Sequence, residues 1–207
     1  MFKMYYKKDC KDIYLPKAVP AVIDVPSMNF IMVDGKGDPK GEEYQTAVSL
    51  LYSLSYTIKM KGKDIAGYFD YTVFPLEGLW WYEDGGLDLC RRDVWRWISM
   101  IRQPDFVTAD VFCWAVELAG KKKPELDFSK ARFELFSEGL CVQMMHIGPF
   151  ADEPVTVAQM KAFIEQNGLI NMTGTDRKHH EIYLSDPNKV KPEKMNTVIR
   201  LPVAEKK

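Results

Sequence analysis

One series of predicted secondary-structure elements occurs twice in this chain of 207 residues. Residues 28–82 predict a strand, a turn rich in Gly and Pro, a helix that begins with acidic residues, and two further strands. Residues 140–203 predict the same series. Each copy has about sixty residues, the size of a small β-α-β-β unit. The duplication predicts an α+β fold in which a curved antiparallel sheet has helices on one side and a ligand groove on the other.

Local spacing predicts the individual elements. Within residues 42–60, apolar side chains recur at helical intervals, so this segment predicts the first helix. Residues 68–74 and 79–82 predict two strands that form a hairpin through a turn at 75–78. The other predicted elements are helices at 93–101, 105–118 and 153–166, and strands at 21–23, 131–136, 140–147, 179–184 and 196–203, with a hairpin joining 131–136 to 140–147.

This pattern predicts a single domain over residues 1–207. Its two copies cover about 20–85 and 131–203. The two helices predicted between them, at about 91–120, are interpreted as a helical insertion.

Charge and composition exclude several classes of partner. The net charge is −1, so the chain has no global basic field with which to hold nucleic acid or an anionic membrane. No apolar run approaches the roughly 18 residues of a membrane-spanning helix. Scattered cysteines without a signal peptide indicate a reducing cytoplasm. Cys113 and Cys141 lie in apolar surroundings, which predicts that both are buried.

Sequence motifs for a bound metal or cofactor are missing. The three histidines, His146, His179 and His180, have no matching spacing of cysteines or carboxylates, which argues against a structural zinc site. Residues 35–37, Gly-Lys-Gly, lack the spacing of a P-loop or a dinucleotide fingerprint. No Gly-x-Ser-x-Gly nucleophile motif occurs either. We therefore expect neither a metal nor a cofactor.

The strand that begins at His179 carries a carboxylate in its interior. Because side chains alternate along a strand, Glu181 and Tyr183 share one face with His179, while Ile182 and Leu184 share the other. If the aliphatic pair packs on the helices, Glu181 projects into the groove on the opposite side. A carboxylate desolvated among aromatic rings can act as a general acid or base, or can hold a cationic ligand. The alternative is a Glu on the solvated face of a sheet.

Glu77 is the second candidate acid. It lies between Pro75 and Gly78, a context typical of an exposed turn, but it adjoins the pair Trp80-Trp81. Alternation puts these two rings on opposite faces, so one of them can line the groove. The candidate catalytic residues are Glu181, Glu77 and Tyr183, and the candidate ligand-binding residues are Trp80, Trp81, Trp97, Tyr71, His179 and His146.

Three segments together resemble the GyrI-like small-molecule-binding proteins: residues 75–81 (PLEGLWW), 143–150 (QMMHIGPF) and 179–187 (HHEIYLSDP). The resemblance extends over residues 15–203. It implies the duplicated fold and identifies Glu181 as the family's pocket carboxylate, which in sensor members contacts cationic aromatic drugs. For stand-alone members it implies hydrolysis of cyclopropane-bearing, DNA-alkylating natural products, with pocket aromatics holding the flat substrate.

Three functions stay open at this point. The first is a hydrolase of cyclopropanoid aromatic toxins, and the second is a non-catalytic multidrug-binding protein that uses the same groove. The third is an interaction protein that modulates gyrase, although the nearly balanced charge offers no acidic DNA-mimicking surface. The chain has no spare length for a DNA-binding domain, so we expect a monomer or dimer that binds a flat aromatic small molecule and no nucleic acid directly.

Overall fold

A computed structural model describes residues 3–82, 94–174 and 177–206. The described residues form eleven strands and five helices. In chain order these are β1 (Lys3–Met4), α1 (Tyr6–Asp9), α2 (Lys11–Tyr14), β2 (Ala21–Val25), β3 (Met28–Lys36), α3 (Glu42–Lys61), β4 (Asp70–Tyr71), β5 (Leu76–Trp81), β6 (Arg96–Arg102), α4 (Ala109–Lys122), β7 (Ala131–Phe136), β8 (Gly139–Ile147), α5 (Glu153–Gln166), β9 (Leu169–Asn171), β10 (His179–Tyr183) and β11 (Asn196–Glu205).

The main sheet is antiparallel and has the order β2-β8-β11-β10-β5-β6-β3-β7, with β9 paired to β11. This order is symmetric about the contact between β5 and β10. The series β3-α3-β5-β6 occupies one half, and β8-α5-β10-β11 occupies the equivalent places in the other half. The α+β class and the duplicated β-α-β-β units are therefore confirmed. At the centre of the sheet, Glu181 lies opposite Gly78.

Helices α3 and α5 cover the same face of this sheet. Helix α3 packs on β3 and β6, whereas α5 packs on β8 and β11. The buried residues Ile31, Trp97 and Ile101 face α3, and Val142 and Ile199 face α5. We call this side the helix face. The central strands β5 and β10 lie between the two helices, so the junction of the two copies is where side chains from both halves meet.

The opposite side, called the back face, has its own core. Phe30, Met32, Leu79 and Met100 pack together there with Val25. Residues 10–14 cover part of this face, because Arg200 donates to the carbonyl of Ile13 and Gln143 donates to the carbonyl of Asp12. Both sides of the sheet are therefore buried over much of their area.

The structure corrects the predicted hairpin of residues 68–82. Only Asp70–Tyr71 is a strand in the first part, and it pairs with β1 rather than with β5. Residues 76–78 are not a turn, since β5 runs from Leu76 to Trp81 and pairs with β6 and β10 on its two sides. Pro75 precedes the strand, a position that needs no ladder hydrogen bond from its nitrogen.

The helix predicted over residues 93–101 is also wrong. Arg96–Arg102 is strand β6, and it occupies the place in the first copy that β11 has in the second. Trp97 and Ile101 face α3 while Met100 belongs to the back-face core. Because both faces of this strand are apolar, its apolar residues do not alternate, and their spacing resembled a helix. Residues 91–93 lie outside the described residues. The next predicted helix, 105–118, is observed four residues later as α4.

The hairpin predicted between residues 131–136 and 140–147 does not form. Strands β7 and β8 follow each other in the chain but pair with different partners, β7 with β3 and β8 with β2 and β11. Gly139 has a φ of 70°, so the local turn signal was real. The turn directs the chain to the other end of the sheet, which local sequence does not reveal.

Two further predictions concern burial and membranes. Cys141 is buried as expected, but Cys113 is exposed, because it lies on the outer side of α4. Across residues 3–82, 94–174 and 177–206, no helix has the length and apolar character required to cross a bilayer.

Candidate functional site

Strand β10 directs His179, Glu181 and Tyr183 to the helix face. Glu181 lies opposite Gly78 and Ile199, and Ile199 packs with residues of α5. The predicted alternation is correct, but the two faces were assigned the wrong way round: Glu181, and not Ile182, lies on the helix face. Ile182 lies opposite Glu77 on the back face, where it is fully buried. Aliphatic residues find a packed layer on either side of this sheet, so their presence did not indicate which side holds the helices.

Glu153 completes an acidic cluster around His179. The carboxylate of Glu153 comes from the first residue of α5, and its Oε1 atom lies 3.0 Å from Nε2 of His179. The same nitrogen lies 3.3 Å from Oε1 of Glu181. All three side chains are buried. Two carboxylates therefore share one imidazole nitrogen in a place where water screens their charges poorly.

The cluster shifts the protonation of its members. Burial acts to lower the pKa of His179, but the close contacts and charges of Glu153 and Glu181 raise it to about 10. Burial, and after it the charge of Glu153, raises the pKa of Glu181, which His179 offsets only in part. The imidazole is thus protonated at neutral pH, and Glu181 binds a proton more readily than an exposed glutamate does.

Aromatic side chains surround this cluster. Nε1 of Trp80 donates to the hydroxyl of Tyr183 at 2.9 Å, and Tyr183 acts to lower the pKa of Glu181. Trp80 also stacks on Tyr44 of α3, with ring centroids 5.6 Å apart. Phe150 meets the ring of Tyr183 edge-on at 5.9 Å. Burial, followed by the charge of Glu181, raises the pKa of Tyr183, so this hydroxyl is a neutral hydrogen-bonding group.

Gly78 makes room for these contacts. A Cβ atom at this position would lie 2.6 Å from Nε1 of Trp80 and 3.2 Å from the hydroxyl of Tyr183. Any larger residue would therefore push apart the two side chains that are hydrogen-bonded beside Glu181.

Glu77 does not join this site. It lies on the back face, is fully buried, and accepts a hydrogen bond of 3.0 Å from the hydroxyl of Tyr14. His180 lies between Glu77 and Glu138, at 3.0 Å and 2.8 Å, and Arg200 donates to Glu138 at 3.0 Å. The sheet itself separates this network from Glu181, so the two acids predicted from the sequence do not meet.

The other predicted ligand-binding residues are dispersed. Trp97 is fully buried, with its ring edge-on to Tyr44 at 5.0 Å. The ring of Trp81 lies under the ammonium group of Lys178 at 4.8 Å, and alternation directs it to the back face. Tyr71 packs against rings near the end of α3. His146 is within hydrogen-bonding distance of Thr156, at 2.8 Å, and of a backbone carbonyl. Of the predicted residues, Glu181, Tyr183, His179 and Trp80 gather in one place, and Trp97 adjoins them as the cross-strand partner of Trp80.

Sequence reasoning missed Glu153, Tyr44 and Phe150. Glu153 was recognised only as an acid in the first turn of a helix, a position that the helix dipole favours in any case. Its burial against His179 depends on how α5 packs on β8 and β11, which brings the first residue of the helix to β10. The signal that could have identified Glu153 is that it begins the helix of the same copy that carries Glu181 in a strand.

The same cluster offers donors for a metal ion. Glu153, His179 and Glu181 each place one donor atom within 4.8 Å of the others, and within the described part of the chain this is the group that could hold an ion. Carboxylate oxygens and imidazole nitrogens suit divalent metals. The expectation of no metal rested on spacing along the chain, whereas these donors meet only through folding. A proton on His179 fills the same position between the two carboxylates.

Solved structures of Listeria innocua proteins match almost the whole chain. An uncharacterised conserved protein is 57% identical with a TM-score of 0.94, over 97% of this chain and 100% of that chain. A hydrolase is 54% identical with a TM-score of 0.89, over 97% and 100%. A hydrolase encoded by lin2189 is 55% identical with a TM-score of 0.91, over 98% and 100%. No curated protein matches the chain.

The model of the GyrI-like small molecule binding domain matches residues 94–204. This segment includes β6, β8, α5, β10 and β11, and with them Glu153, His179, Glu181 and Tyr183. The match covers more than half of the chain and agrees with the duplicated fold. The chain therefore belongs to the GyrI-like small-molecule-binding domain family.

Proposed function

We propose that this small-molecule-binding protein is a hydrolase that adds water to the cyclopropane ring of flat aromatic genotoxins. The observation that carries the proposal is the position of Glu181: a buried carboxylate opposite Gly78 and 3.3 Å from His179, on the same face as the hydrogen-bonded pair Trp80 and Tyr183. Two Listeria innocua proteins that are 54% and 55% identical to this chain are described as hydrolases. The cyclopropanoid substrate class comes from the family resemblance of the sequence motifs.

The reaction requires a base that accepts a proton from water and an acid that donates a proton to the substrate. The oxygen of water attacks a CH₂ carbon of the cyclopropane, and a base takes the proton that water loses. The strained C–C bond breaks, its electron pair passes into the conjugated dienone, and the carbonyl oxygen becomes a phenol by gaining a proton. The sum is addition of one water without oxidation or reduction. Glu181 serves as the proton-transferring group, and the hydroxyl of Tyr183 supplies a hydrogen bond.

Solvent accessibility also favours Glu181 over Glu77 as the group that transfers a proton. Glu181 retains 8% of its surface exposed, whereas Glu77 retains none and already has Tyr14 and His180 as partners. A flat ligand that packs on Phe150, whose ring is exposed and meets that of Tyr183, would bring its reacting carbon towards Glu181. Glu77 on the back face takes no part in this reaction.

The test is incubation of the purified protein with a cyclopropane-bearing, duocarmycin-type alkylator, followed by mass spectrometry of the ring-opened product. We expect catalytic water addition by the wild type and a loss of at least about 100-fold in the rate for Glu181→Gln, the scale of a general acid–base contribution. Glu42→Gln is the matched control, because Glu42 is an exposed acid at the start of α3. Unchanged turnover in Glu181→Gln would exclude this role for Glu181.

A non-catalytic drug-binding protein is the second candidate. The observation that favours it is the charge of the cluster, since two carboxylates face a single imidazole and a cationic ligand would balance the remaining charge. In that case the alkylator or a cationic aromatic dye would quench tryptophan fluorescence without any product. Glu181→Gln would then weaken binding of cations and leave binding of neutral ligands unchanged.

A further inference from the structure

We infer that Glu153 is a positioning residue of this site: its carboxylate holds the ring of His179 in place against Glu181. Its effect on turnover rests on the proposed function, whereas the contact itself does not. Glu153 belongs to α5 and His179 to β10, so the contact ties the start of a helix to the strand that carries the acid.

The geometry supports a shared contact. Both carboxylate oxygens approach the same atom of His179, at 3.0 Å and 3.3 Å. All three side chains are buried, so the ring of His179 lies fixed between a helix and a strand. The titratable groups facing this nitrogen are Glu153 from α5 and Glu181 from β10, with the hydroxyls of Tyr183 and Tyr44 beyond Glu181.

The two copies of the fold provide a comparison for Glu153. Glu42 and Glu153 are the first residues of α3 and α5, the equivalent helices of the two copies. Glu42 is exposed, which is sufficient for a favourable interaction with a helix N-terminus. Glu153 is 5% exposed, and burial of a carboxylate is costly unless a charged partner compensates it. The helix dipole therefore does not account for the burial of Glu153, and the contact with His179 does.

The segment that carries Glu153 also contacts the rest of the site. Residues Phe150–Asp152 form a short 3₁₀ turn directly before α5, and Phe150 packs against the ring of Tyr183. The same few residues thus hold His179 by charge and Tyr183 by aromatic contact. Loss of the Glu153 carboxylate would free His179 and, through it, the orientation of Glu181.

The first readout is the environment of the His179 ring, and it does not depend on turnover. In ¹⁵N-histidine NMR at a fixed pH, the assigned ring signals of His179 should shift in Glu153→Gln relative to the wild type, because the variant loses the carboxylate 3.0 Å from Nε2. Glu153→Asp should be intermediate, because it keeps the charge on a shorter side chain. Glu42→Gln should match the wild type, since Glu42 has the equivalent helix position without a histidine partner.

The second readout separates positioning from binding. With the cyclopropane-bearing alkylator, Glu153→Gln should lower kcat about 10-fold or more, because a misplaced acid–base group loses part of its contribution. KM and the quenching of tryptophan fluorescence should change less than about twofold, since the rings that hold the ligand are intact. Glu153→Asp should recover part of kcat.

Several results would overturn the inference. One is a set of His179 ring signals that is the same in Glu153→Gln and in the wild type, and another is an unchanged kcat in an active enzyme. A change of the His179 signals upon chelation would mean that a metal ion, and not a proton, joins the two carboxylates. If the wild type hydrolyses no alkylator but His179 responds to Glu153→Gln as expected, the contact stands and the proposed hydrolysis fails.

Discussion

His179 and His180 are neighbours in the chain, yet they lie in two different environments. Each imidazole is buried between two carboxylates, His179 between Glu153 and Glu181 on the helix face, and His180 between Glu77 and Glu138 on the back face. The back-face cluster has an additional cation, Arg200, which is fully buried and pairs with Glu138.

The difference between these clusters is one of charge balance and access. On the back face, two carboxylates lie with the imidazole of His180 and a guanidinium, and Tyr14 closes the network from the N-terminal segment. On the helix face, two carboxylates face one imidazolium beside a set of aromatic rings. A balanced and closed cluster stabilises a fold, whereas an unbalanced cluster retains charge for a ligand or a proton. Three predictions test this distinction, in order of decreasing expected effect.

The largest effect is expected for Arg200→Met. This change leaves the buried Glu138 with one charged partner and also removes the donors to Gln143 and Ile13. Breaking a buried ion pair on one side typically costs about 3–5 kcal/mol. Urea denaturation should show this loss, while Glu181→Gln, which removes an excess charge, should change the free energy of unfolding by less than about 1 kcal/mol. Equal destabilisation by the two variants would contradict the comparison.

The next effect is an acid-dependent loss of stability that comes from the back face. Burial acts to raise the pKa of Glu138, but the charges of His180 and Arg200 lower it to about 2 in the folded protein. Its ordinary value is 4.5, so the folded state binds fewer protons than the unfolded state between these values. This contribution, roughly 3 kcal/mol at most, is complete above pH 4.5 and is lost as the pH falls towards 2.

The measurement for Glu138 is urea denaturation at a series of pH values between 2 and 6, chosen to span the two pKa values of this carboxyl group. Glu138→Gln should remove most of the slope in this window, because its amide does not titrate. A slope that persists in Glu138→Gln would assign the acid sensitivity to other carboxylates.

The smallest effect on stability is expected for Gly78→Ala, although its effect on binding should be clear. The new Cβ would lie 2.6 Å from Nε1 of Trp80, so the hydrogen bond between Trp80 and Tyr183 must shift. Overpacking of this kind typically costs about 1–3 kcal/mol. We expect binding of a flat aromatic ligand, measured by tryptophan quenching, to weaken about 10-fold, the equivalent of 1.4 kcal/mol.

Gly120→Ala is the control for this substitution. Gly120 lies in α4, and a Cβ atom there would have only an ordinary contact of 3.9 Å to Phe128. A helical Gly→Ala change should be neutral or stabilising by about 0.5–1 kcal/mol. If ligand binding responds equally to both substitutions, Gly78 does not shape the site.

Elements with local signals were predictable from the sequence. Helix α3 was expected over residues 42–60 and is observed over Glu42–Lys61, because a helix shows its buried side at intervals of three and four residues. Helix α5 was predicted correctly for the same reason, and the two helices made the duplicated series recognisable. In contrast, β6 was mistaken for a helix and β5 for a turn and a short strand, since a strand buried on both faces carries no alternation.

The candidate site was predictable only in part. The sequence by itself determined that His179, Glu181 and Tyr183 share one face of a strand, because alternation is a property of the local backbone. Tertiary structure alone decided that this face is covered by the helices, that Glu153 meets His179, and that Glu77 belongs to a separate network. The physical reason is that both faces of the sheet are packed. Contacts between distant segments therefore decide on which face a side chain lies and which charged partners it has.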